Sequence, residues 1–255
     1  MILAIIQARM GSSRLPGKVL FDLAGTPALG HVIERVRLAS LVDKVMVATT
    51  DRDGDEPIRR YCAAQGVDCF AGSEDDVLDR FYQAATWAGA GELDGIVRIT
   101  ADCPLLDPAV VDLVVGRLLE GNATYVSNVS PPSFPDGLDV EAFRFPALQR
   151  AWTEASLRSE REHVTPYIRN HPELFSQENV LNGEDLSELR WTLDEPADYE
   201  MLGKIFAELA GISGLASWQQ VLSLLANHPE WTALNQRFHR NEGYSKSLTA
   251  DKHEH

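Results

Sequence analysis

Short apolar runs alternate with amphipathic stretches over the first half of this 255-residue chain. Four of the runs predict buried strands, at residues 2–8, 44–50, 95–100 and 123–127. The amphipathic stretches between them predict helices at residues 27–41, 55–65, 74–88 and 108–119. Strands that alternate with helices of about 10–15 residues indicate a parallel sheet that helices cover on both faces. In α/β folds of this kind, ligands bind at the carboxyl ends of the strands.

The pattern changes after residue 130, where the sequence Ser-Pro-Pro-Ser-Phe-Pro-Asp-Gly at 130–137 is rich in turn formers. The strands predicted beyond this turn lie at 138–143, 175–180 and 189–193, and the helices at 147–156, 196–209 and 218–226. The chain is polar and charged from about Arg237 onward, which predicts a loosely held tail. We therefore expect a single domain over residues 1–235, with a substrate or dimerisation region at about 130–180, and a polar tail over 236–255.

The charge composition argues against nucleic acid and anionic membranes as partners. The chain carries 23 Lys and Arg residues against 38 Asp and Glu residues, a net charge of −15 whose average field repels phosphate. Its 3 cysteines have neither a CxxC nor a Cys/His zinc spacing, which is typical of a reducing compartment. The apolar start of the chain ends at Gln7, far short of the roughly 20 residues that span a bilayer. We therefore expect a cytoplasmic protein.

The loop after the first predicted strand concentrates positive charge. It reads Gln-Ala-Arg-Met-Gly-Ser-Ser-Arg-Leu-Pro-Gly-Lys at residues 7–18 and contains the cations Arg9, Arg14 and Lys18. Arginine binds phosphate oxygens in a bidentate manner and lysine supplies a point charge, while glycine and serine let backbone N–H groups approach a ligand. The loop therefore predicts a polyphosphate site. Its glycine spacing does not match the Walker A motif, and a solvated basic loop remains the alternative interpretation.

Two aspartates follow predicted strands and precede a proline by two residues. Asp102 comes after the strand at 95–100, and Asp194 comes after the strand at 189–193. Magnesium prefers hard oxygen ligands, often one or two carboxylates together with substrate phosphates. The pair therefore predicts a magnesium site near the phosphate-binding loop. The alternative is that Asp102 caps the next turn and that Asp194 caps the helix behind it.

The segment Asp-Gly-Leu-Asp-Val-Glu at 136–141 supplies further carboxylates. Alternation along a strand places Asp139 and Glu141 on the same face. Such a pair can accept hydrogen bonds from sugar hydroxyls or act as the acid and base of a glycosidase, whereas the alternative is a solvent-exposed strand face. His163, in Glu-Arg-Glu-His at 160–163, does not fit the HExxH zinc motif, and a packed or capping histidine is the alternative to a functional one.

These motifs together resemble a known family. The residues 5–18 resemble the signature of the CMP-sugar synthetases, which activate acidic sugars such as sialic acid and 3-deoxy-manno-octulosonate. The segments at 134–141, 159–166 and 192–196 resemble the cytidylyltransferase branch named for spore coat polysaccharide biosynthesis protein F. The resemblance covers approximately residues 1–210.

The resemblance implies an α/β nucleotide-diphospho-sugar transferase fold, which is Rossmann-like and of the GT-A type, with three layers, a mostly parallel sheet and a small extension. It implies transfer of CMP from CTP to an acidic sugar with release of pyrophosphate, in surface or spore-coat-type polysaccharide biosynthesis. Mg²⁺ is the implied cofactor and a homodimer the implied assembly. The sequence itself does not identify the sugar.

The resemblance also assigns roles to single residues. The residues implied to bind the triphosphate are Arg9, Ser12, Ser13, Arg14 and Lys18, and those implied to contact the nucleoside are Thr49, Thr50 and Asp51. Asp102 and Asp194 are the implied magnesium ligands, and the implied substrate-binding residues are Asp136, Asp139, Glu141 and His163. Arg14, Lys18 and Asp102 are the implied catalytic residues. Arg14 and Lys18 would stabilise the departing pyrophosphate, and Asp102 would hold the magnesium ion that neutralises the developing charge.

Two other functions compete with this interpretation. A glycosyltransferase that uses a nucleotide sugar commonly carries an Asp-x-Asp motif at a strand end, and the nearest match here is Asp51-Arg-Asp53. A non-catalytic nucleotide-binding protein of the same pathway would not need the full set of phosphate-binding and metal-binding candidates. Both observations favour a cytidylyltransferase.

Overall fold

The computed structural model describes residues 1–211 and 214–252. The strands are β1 (Ile2–Gln7), β2 (Asp22–Leu23), β3 (Thr26–Pro27), β4 (Lys44–Thr50), β5 (Asp68–Gly72), β6 (Gly95–Thr100), β7 (Tyr125–Ser127), β8 (Glu141–Arg144) and β9 (Gln177–Asn179). The helices are α1 (Ala28–Arg37), α2 (Glu56–Ala64), α3 (Val77–Trp87), α4 (Pro108–Glu120), α5 (Phe145–Glu154), α6 (Arg158–His163), α7 (Pro166–Asn170), α8 (Pro196–Leu209), α9 (Trp218–Asn227), α10 (Pro229–Thr232) and α11 (Glu242–Asp251). None of the helices within these two ranges is long and apolar enough to cross a membrane.

The main sheet has 7 strands in the order β5-β4-β1-β6-β8-β7-β9. The strands β5, β4, β1 and β6 run parallel to one another, whereas β8 pairs antiparallel with both β6 and β7. The predicted α/β fold with a mostly parallel sheet is therefore confirmed. Because β1, β4 and β6 run in one direction, the loops that follow them meet at one edge of the sheet.

Helices cover both faces of the sheet, which explains why its strands are continuous apolar runs. In β1, Ala4 and Ile6 pack on one face with α1, α4, α8 and α9, and Leu3 and Ile5 pack on the other with α3 and α5. These four side chains are 0% exposed. The three-layer arrangement follows directly from this two-sided burial.

Two predicted strands differ from the structure. The predicted strand at 138–143 begins only at Glu141, so Asp139 lies in the loop before β8 and does not share a strand face with Glu141. The predicted strand at 189–193 is outside the sheet and forms one isolated bridge, between Asp136 and Arg190, within the described residues. Its backbone N–H groups at Trp191 and Leu193 donate to the loop residues Asp136 and Asp102 instead of to a neighbouring strand. The strand β5 has too few apolar residues to be recognised in the sequence.

The prediction of a loosely held tail is wrong for the described part of that segment. Glu242–Asp251 form the helix α11, and the backbone N–H of Ser159 in α6 donates to Asp251 Oδ1 at 3.1 Å. The buried residues of α11 are Ser247 and Asp251. The helix therefore packs through polar groups, and it lacks the apolar periodicity by which a packed helix is recognised.

The glycine in the turn that leads to β8, Gly137, lies directly against the backbone of Trp191. Gly137 has a φ of +110°, and a Cβ atom added there would lie 2.8 Å from the carbonyl carbon of Trp191. We expect Gly137→Ala to lower the free energy of unfolding by about 2 kcal/mol, because both the φ angle and the contact are unfavourable for alanine. Urea unfolding measures this change.

Gly54→Ala is the matched control, since an added Cβ at Gly54 meets no atom within 4 Å. Its free energy of unfolding should stay within about 0.5 kcal/mol of the original protein. Equal stability of the two variants would contradict the close packing of Gly137 on the Trp191 backbone.

Candidate functional site

A cavity of about 460 Å³ lies at the carboxyl ends of β1 and β6, whose last residues, Gln7 and Thr100, line it. All five residues of the predicted phosphate-binding loop also line this cavity, namely Arg9, Ser12, Ser13, Arg14 and Lys18. The loop folds back on itself, since Met10 O accepts from the backbone N–H of Ser12 and of Gly17, each at 2.9 Å. This turn brings the two ends of the loop close together, so that Arg9, Arg14 and Lys18 all line the same cavity.

A buried carboxylate anchors this loop to β4. Asp55 is 3% exposed, and its Oδ1 accepts from the backbone N–H of Met10 at 2.7 Å. Its Oδ2 accepts from the hydroxyls of Thr49 at 3.0 Å and Thr50 at 2.6 Å, and from the backbone N–H of Thr50 at 3.1 Å. Burial opposes ionisation of Asp55, but these four hydrogen bonds lower its pKa overall. The phosphate-binding loop is therefore fixed to the sheet by a charged group.

The same contacts change the interpretation of Thr49, Thr50 and Asp51. Neither of the two threonines lines the cavities described at this edge, because their hydroxyls are buried against Asp55. Asp51 is exposed, and its backbone N–H donates to Gly72 O at 2.9 Å. The structure thus does not bring these three predicted nucleoside contacts to the site, since a buried carboxylate occupies the two hydroxyls.

The Lys18 ammonium bridges the two predicted magnesium ligands. Its Nζ donates to Asp102 Oδ2 at 2.5 Å and to Asp194 Oδ1 at 2.6 Å. Burial acts against the charge of Lys18 and of Asp102, but the two carboxylates raise the pKa of Lys18, and the Lys18 ammonium lowers the pKa of Asp102 to about 2. The two carboxylates therefore converge on one cationic group at the floor of the cavity.

Arg14 extends this ion network toward the carboxyl-terminal segment. Its guanidinium lies 3.0 Å from Asp194 Oδ1, 3.1 Å from Glu195 Oε1 and 3.3 Å from Glu242 Oε2. Glu242 is the first residue of α11, and Lys246 and Ser247 of the same helix also line the cavity. The helix that the sequence suggested as a loose tail therefore forms one wall of the site.

The segment before α8 positions the acidic groups through its backbone. The N–H of Leu193 donates to Asp102 O at 2.8 Å, and the N–H of Trp191 donates to Asp136 O at 2.6 Å. Asp198 in the first turn of α8 is 0% exposed and accepts from the N–H of Asp194 at 2.9 Å. The extended segment at 191–194 thus contacts Asp102, Asp136 and Asp198 through its backbone N–H groups.

A second cavity of about 250 Å³ adjoins the first and holds the other predicted residues, Asp136, Asp139, Glu141 and His163. Gln7, Arg14, Thr100, Asp102, His163, Asp194 and Gly243 line both cavities. Burial, the neighbouring charge of Asp139 and the weaker one of Asp194 raise the pKa of Asp136 to about 7, against the attraction of Arg190 and Arg240. The two cavities meet at Asp102 and Asp194.

All four predicted substrate residues already have protein partners, since Arg190 NH1 donates to Asp136 Oδ2 at 3.4 Å and Arg240 donates to Asp139 Oδ1. Glu141 is 4% exposed and accepts from Tyr125 OH at 2.5 Å, Thr165 Oγ1 at 2.7 Å and Arg98 NH1 at 2.5 Å. His163 Nε2 lies 3.0 Å from Ser247 Oγ, and burial followed by the charge of Arg98 lowers the pKa of His163 to about 4. Glu141 thus supports the cavity wall, and His163 contacts α11.

Sequence reasoning missed several cations that line the two cavities. Arg80, Arg158 and Lys246 line the first cavity, and Arg169 lines the second. Arg80 is 2% exposed, donates to Ser73 O at 2.6 Å, and keeps its Nε without a partner among the described residues. A signal for Arg80 existed, because it occupies the apolar face of α3 beside Val77 and Ala84, where a charged residue is unusual.

The cytidylyltransferase family model matches residues 3–208 of this chain. The uncharacterized protein MJ1063 of Methanocaldococcus jannaschii is 38% identical over 238 residues, which cover 92% of this chain and 94% of that protein. The spore coat polysaccharide biosynthesis protein SpsF of Bacillus subtilis is 34% identical over 235 residues, or 90% of this chain and 95% of that protein.

Solved structures agree with these matches. A cytidylyltransferase from Leptospira borgpetersenii is 32% identical, has a TM-score of 0.86, and is matched over 94% of this chain and 99% of that one. The CMP:2-keto-3-deoxy-manno-octonic acid synthetase complexed with CTP has a TM-score of 0.58 at 20% identity, over 82% of this chain and 98% of that one. The latter likeness concerns the fold, and it supports the predicted nucleotidyltransferase architecture.

The Asp55 anchor leads to a stability prediction. We expect Asp55→Asn to lower the free energy of unfolding at pH 7 by about 2 kcal/mol, because hydrogen bonds to a buried charge are lost. The folded-state pKa lies below the ordinary value of 3.8, so the difference from the original protein should be full above that pH. It should shrink as pH falls through the folded pKa. Urea unfolding across the pH range measures it.

Asp53→Asn is the matched control, because Asp53 is exposed and lies in the same short 3-10 turn. That variant should unfold like the original protein at every pH. A stability difference for Asp55→Asn that stays constant down to pH 2 would contradict the role of the ionised carboxylate.

Proposed function

The chain belongs to the cytidylyltransferase family, and on this premise we propose that it transfers CMP from CTP to an acidic sugar and releases pyrophosphate. The proposal rests mainly on one observation, which is that two cavities with different linings share Asp102 and Asp194. The first cavity is lined by cations of the phosphate-binding loop, and the second by carboxylates that can accept hydrogen bonds from hydroxyls. Donor and acceptor substrates would meet at Asp102 and Asp194.

The first cavity suits a triphosphate. Arg9, Arg14 and Lys18 come from the loop after β1, and Arg80, Arg158 and Lys246 come from three helices around it. Arginine can bind two phosphate oxygens at once and lysine supplies a compact charge, so this set can bind three linked phosphates. The buried Nε of Arg80, which has no partner among the described residues, is a donor that a nucleotide oxygen would satisfy.

The aspartate pair suits a divalent cation. Oxygens of Asp102 and Asp194 already converge on one ammonium at 2.5 and 2.6 Å, and two carboxylates with phosphate oxygens form a donor set that Mg²⁺ accepts. A cation bound there would withdraw charge from the phosphates and favour ionisation of an attacking hydroxyl. It would also release Lys18 from the pair, so that its ammonium could bind phosphate.

The chemistry is an in-line displacement at the α-phosphate of CTP. A hydroxyl oxygen of the sugar forms a bond to phosphorus, the bond from phosphorus to the bridging oxygen of pyrophosphate breaks, and the hydroxyl proton passes to solvent. The protein contributes positioning and charge stabilisation to such a transfer. Arg14 and Lys18 would bind the departing pyrophosphate, while Asp136 and Asp139 would orient the sugar through its hydroxyls.

The proposal extends to the setting of the reaction. We place it in the cytoplasm, where CTP is made, and in the synthesis of a surface polysaccharide, a role that the name of the Bacillus subtilis relative supports. We also propose a homodimer formed through residues 130–180, which contain β7, β8 and β9. The edge strand β9 leaves backbone groups available for contact with a second chain.

The decisive test is pyrophosphate release from CTP with a panel of sugar acids. We expect Asp102→Asn to lower kcat by at least about 100-fold, because it removes one of the two carboxylates that would hold the divalent cation. Asp185→Asn, at an exposed position, is the control and should keep full activity. Circular dichroism must show that both variants remain folded. Turnover of folded Asp102→Asn close to that of the original protein would refute the assigned role.

The position of Lys18 predicts competition between its ammonium and a divalent cation. We expect Lys18→Met to bind Mg²⁺ without CTP on the order of 10-fold more tightly, since the cation no longer has to displace an ammonium. The readout is the Mg²⁺ concentration at the midpoint of the increase in melting temperature.

Lys44→Met is the matched control, because the Lys44 ammonium pairs at the surface with Asp68, at 2.9 Å. That variant should respond to Mg²⁺ like the original protein. The double variant Lys18→Met, Asp194→Asn should lose the tighter binding. Identical midpoints for the original protein and Lys18→Met would refute the shared position.

A further inference from the structure

Most arginines near the second cavity already bind carboxylates of this chain. The partners are Asp194 for Arg14 at 3.0 Å, Glu141 for Arg98 at 2.5 Å, Asp198 for Arg190 at 2.9 Å, and Asp139 for Arg240. Each of these guanidinium groups is therefore occupied before any substrate enters. Arg14 belongs to the proposed triphosphate site. Arg98, Arg190 and Arg240 shape the second cavity, and their existing ion pairs make them poorly suited to bind an additional anion there.

Arg169 is the exception among the arginines that line this cavity. Within residues 1–211 and 214–252 its guanidinium has no ion pair and donates no hydrogen bond. It lies instead against an aromatic ring, with its guanidinium carbon 5.3 Å from the ring centre of Tyr244 in α11. An arginine stacked in this way keeps its N–H groups in the plane of the guanidinium available to a ligand.

The charge of Arg169 is maintained by its surroundings. Burial acts to lower the pKa of Arg169, but the carboxylate of Glu141 and the smaller effects of Tyr125, Tyr244 and Asp139 together outweigh it, so the pKa lies above its ordinary value. Glu141 does not satisfy the guanidinium, since its oxygens accept from Arg98, Tyr125 and Thr165. A partly buried charge without a hydrogen-bonding partner is unfavourable, and an incoming carboxylate would supply the missing partner.

The other groups of the cavity define the rest of such a ligand. Asp136 and Asp139 can accept hydrogen bonds from hydroxyls, and Asp102 with Asp194 lies at the opening to the first cavity. A ligand with one carboxylate, several hydroxyls and one reactive hydroxyl matches this arrangement. A neutral sugar would leave Arg169 without a partner.

We propose that Arg169, stacked on Tyr244, binds the carboxylate of the acceptor and makes the enzyme select acidic over neutral sugars. The inference rests on the proposed function, since it assigns the acceptor to the second cavity. It also gives the carboxyl-terminal helix a role in specificity, because Tyr244 lies outside residues 3–208, which the family model matches.

The test compares Arg169→Met with the original protein in pyrophosphate release from CTP. The acceptors are N-acetylneuraminate and 3-deoxy-manno-octulosonate, each tested beside its methyl ester, together with neutral hexoses. We expect the KM of an accepted acid to rise at least about 30-fold in the variant, while kcat and the KM of CTP change by less than about threefold. The methyl ester should be equally poor for both proteins, because it lacks the charge that Arg169 binds.

Three further variants separate binding from structure. Arg169→Lys should recover part of the affinity, since it keeps a point charge and loses the bidentate geometry. Tyr244→Leu should raise the KM of the acid severalfold by removing the stacking surface. Arg150→Met is the matched control, because Arg150 also lies over an aromatic ring, 5.7 Å from Phe175, but outside both cavities. Arg150→Met should leave kcat and the KM values of both the acid and CTP unchanged.

The outcomes distinguish this inference from the function on which it rests. An unchanged KM for the acid in Arg169→Met, or equal use of acid and ester by the original protein, overturns the inference and leaves CMP transfer standing. Turnover of neutral hexoses in place of acids also overturns the inference and leaves CMP transfer standing. If CTP binds and no sugar is turned over, the proposed function fails. Calorimetric measurement of the binding of the two acids then tests the role of Arg169 by itself. Binding that Arg169→Met abolishes supports the inference, and absence of binding overturns it.

Discussion

The ammonium of Lys18 between the carboxylates of Asp102 and Asp194 joins three loops that the chain order keeps far apart. Lys18 follows β1, Asp102 follows β6, and Asp194 precedes α8. Two aspartates that face one point repel each other, so a cation between them stabilises this edge of the sheet. The lowered pKa of Asp102, at about 2, reflects the same attraction. The two cavities meet where this triplet holds the loops together.

The parts of the fold that were predictable are those specified by local sequence. The strands β1, β4 and β6 are apolar on both faces, and α8 begins at Pro196 and ends at Leu209, as its periodicity and its leading proline indicate. The sequence also singled out the loop at 7–18 as a place for a ligand, because it has three cations within a short stretch of an acidic chain. Its five candidate residues line one cavity. What the sequence could not provide is which distant group each of them meets.

Thr49 and Thr50 illustrate this limit. A pair of hydroxyls at the end of a strand is equally suited to a ligand and to a buried carboxylate, and nothing adjacent in the sequence distinguishes the two. Asp55 lies only five or six residues further on, but its burial depends on the turn that reverses the chain. Arg169 and α11 were missed for a related reason, since their contacts connect polar groups and leave no apolar period in the sequence.

The first cavity is positively charged although the chain as a whole has a net charge of −15. Six cations line it, namely Arg9, Arg14, Lys18, Arg80, Arg158 and Lys246. Burial and then the charge of Arg9 lower the pKa of Arg80 to about 10, against the attraction of Asp55, Glu74 and Asp51. The average field of the chain repels phosphate, so these cations make the cavity of about 460 Å³ a local exception to it. A small polyphosphate fits such a field, whereas an extended polyanion would have to cross the acidic surface around it.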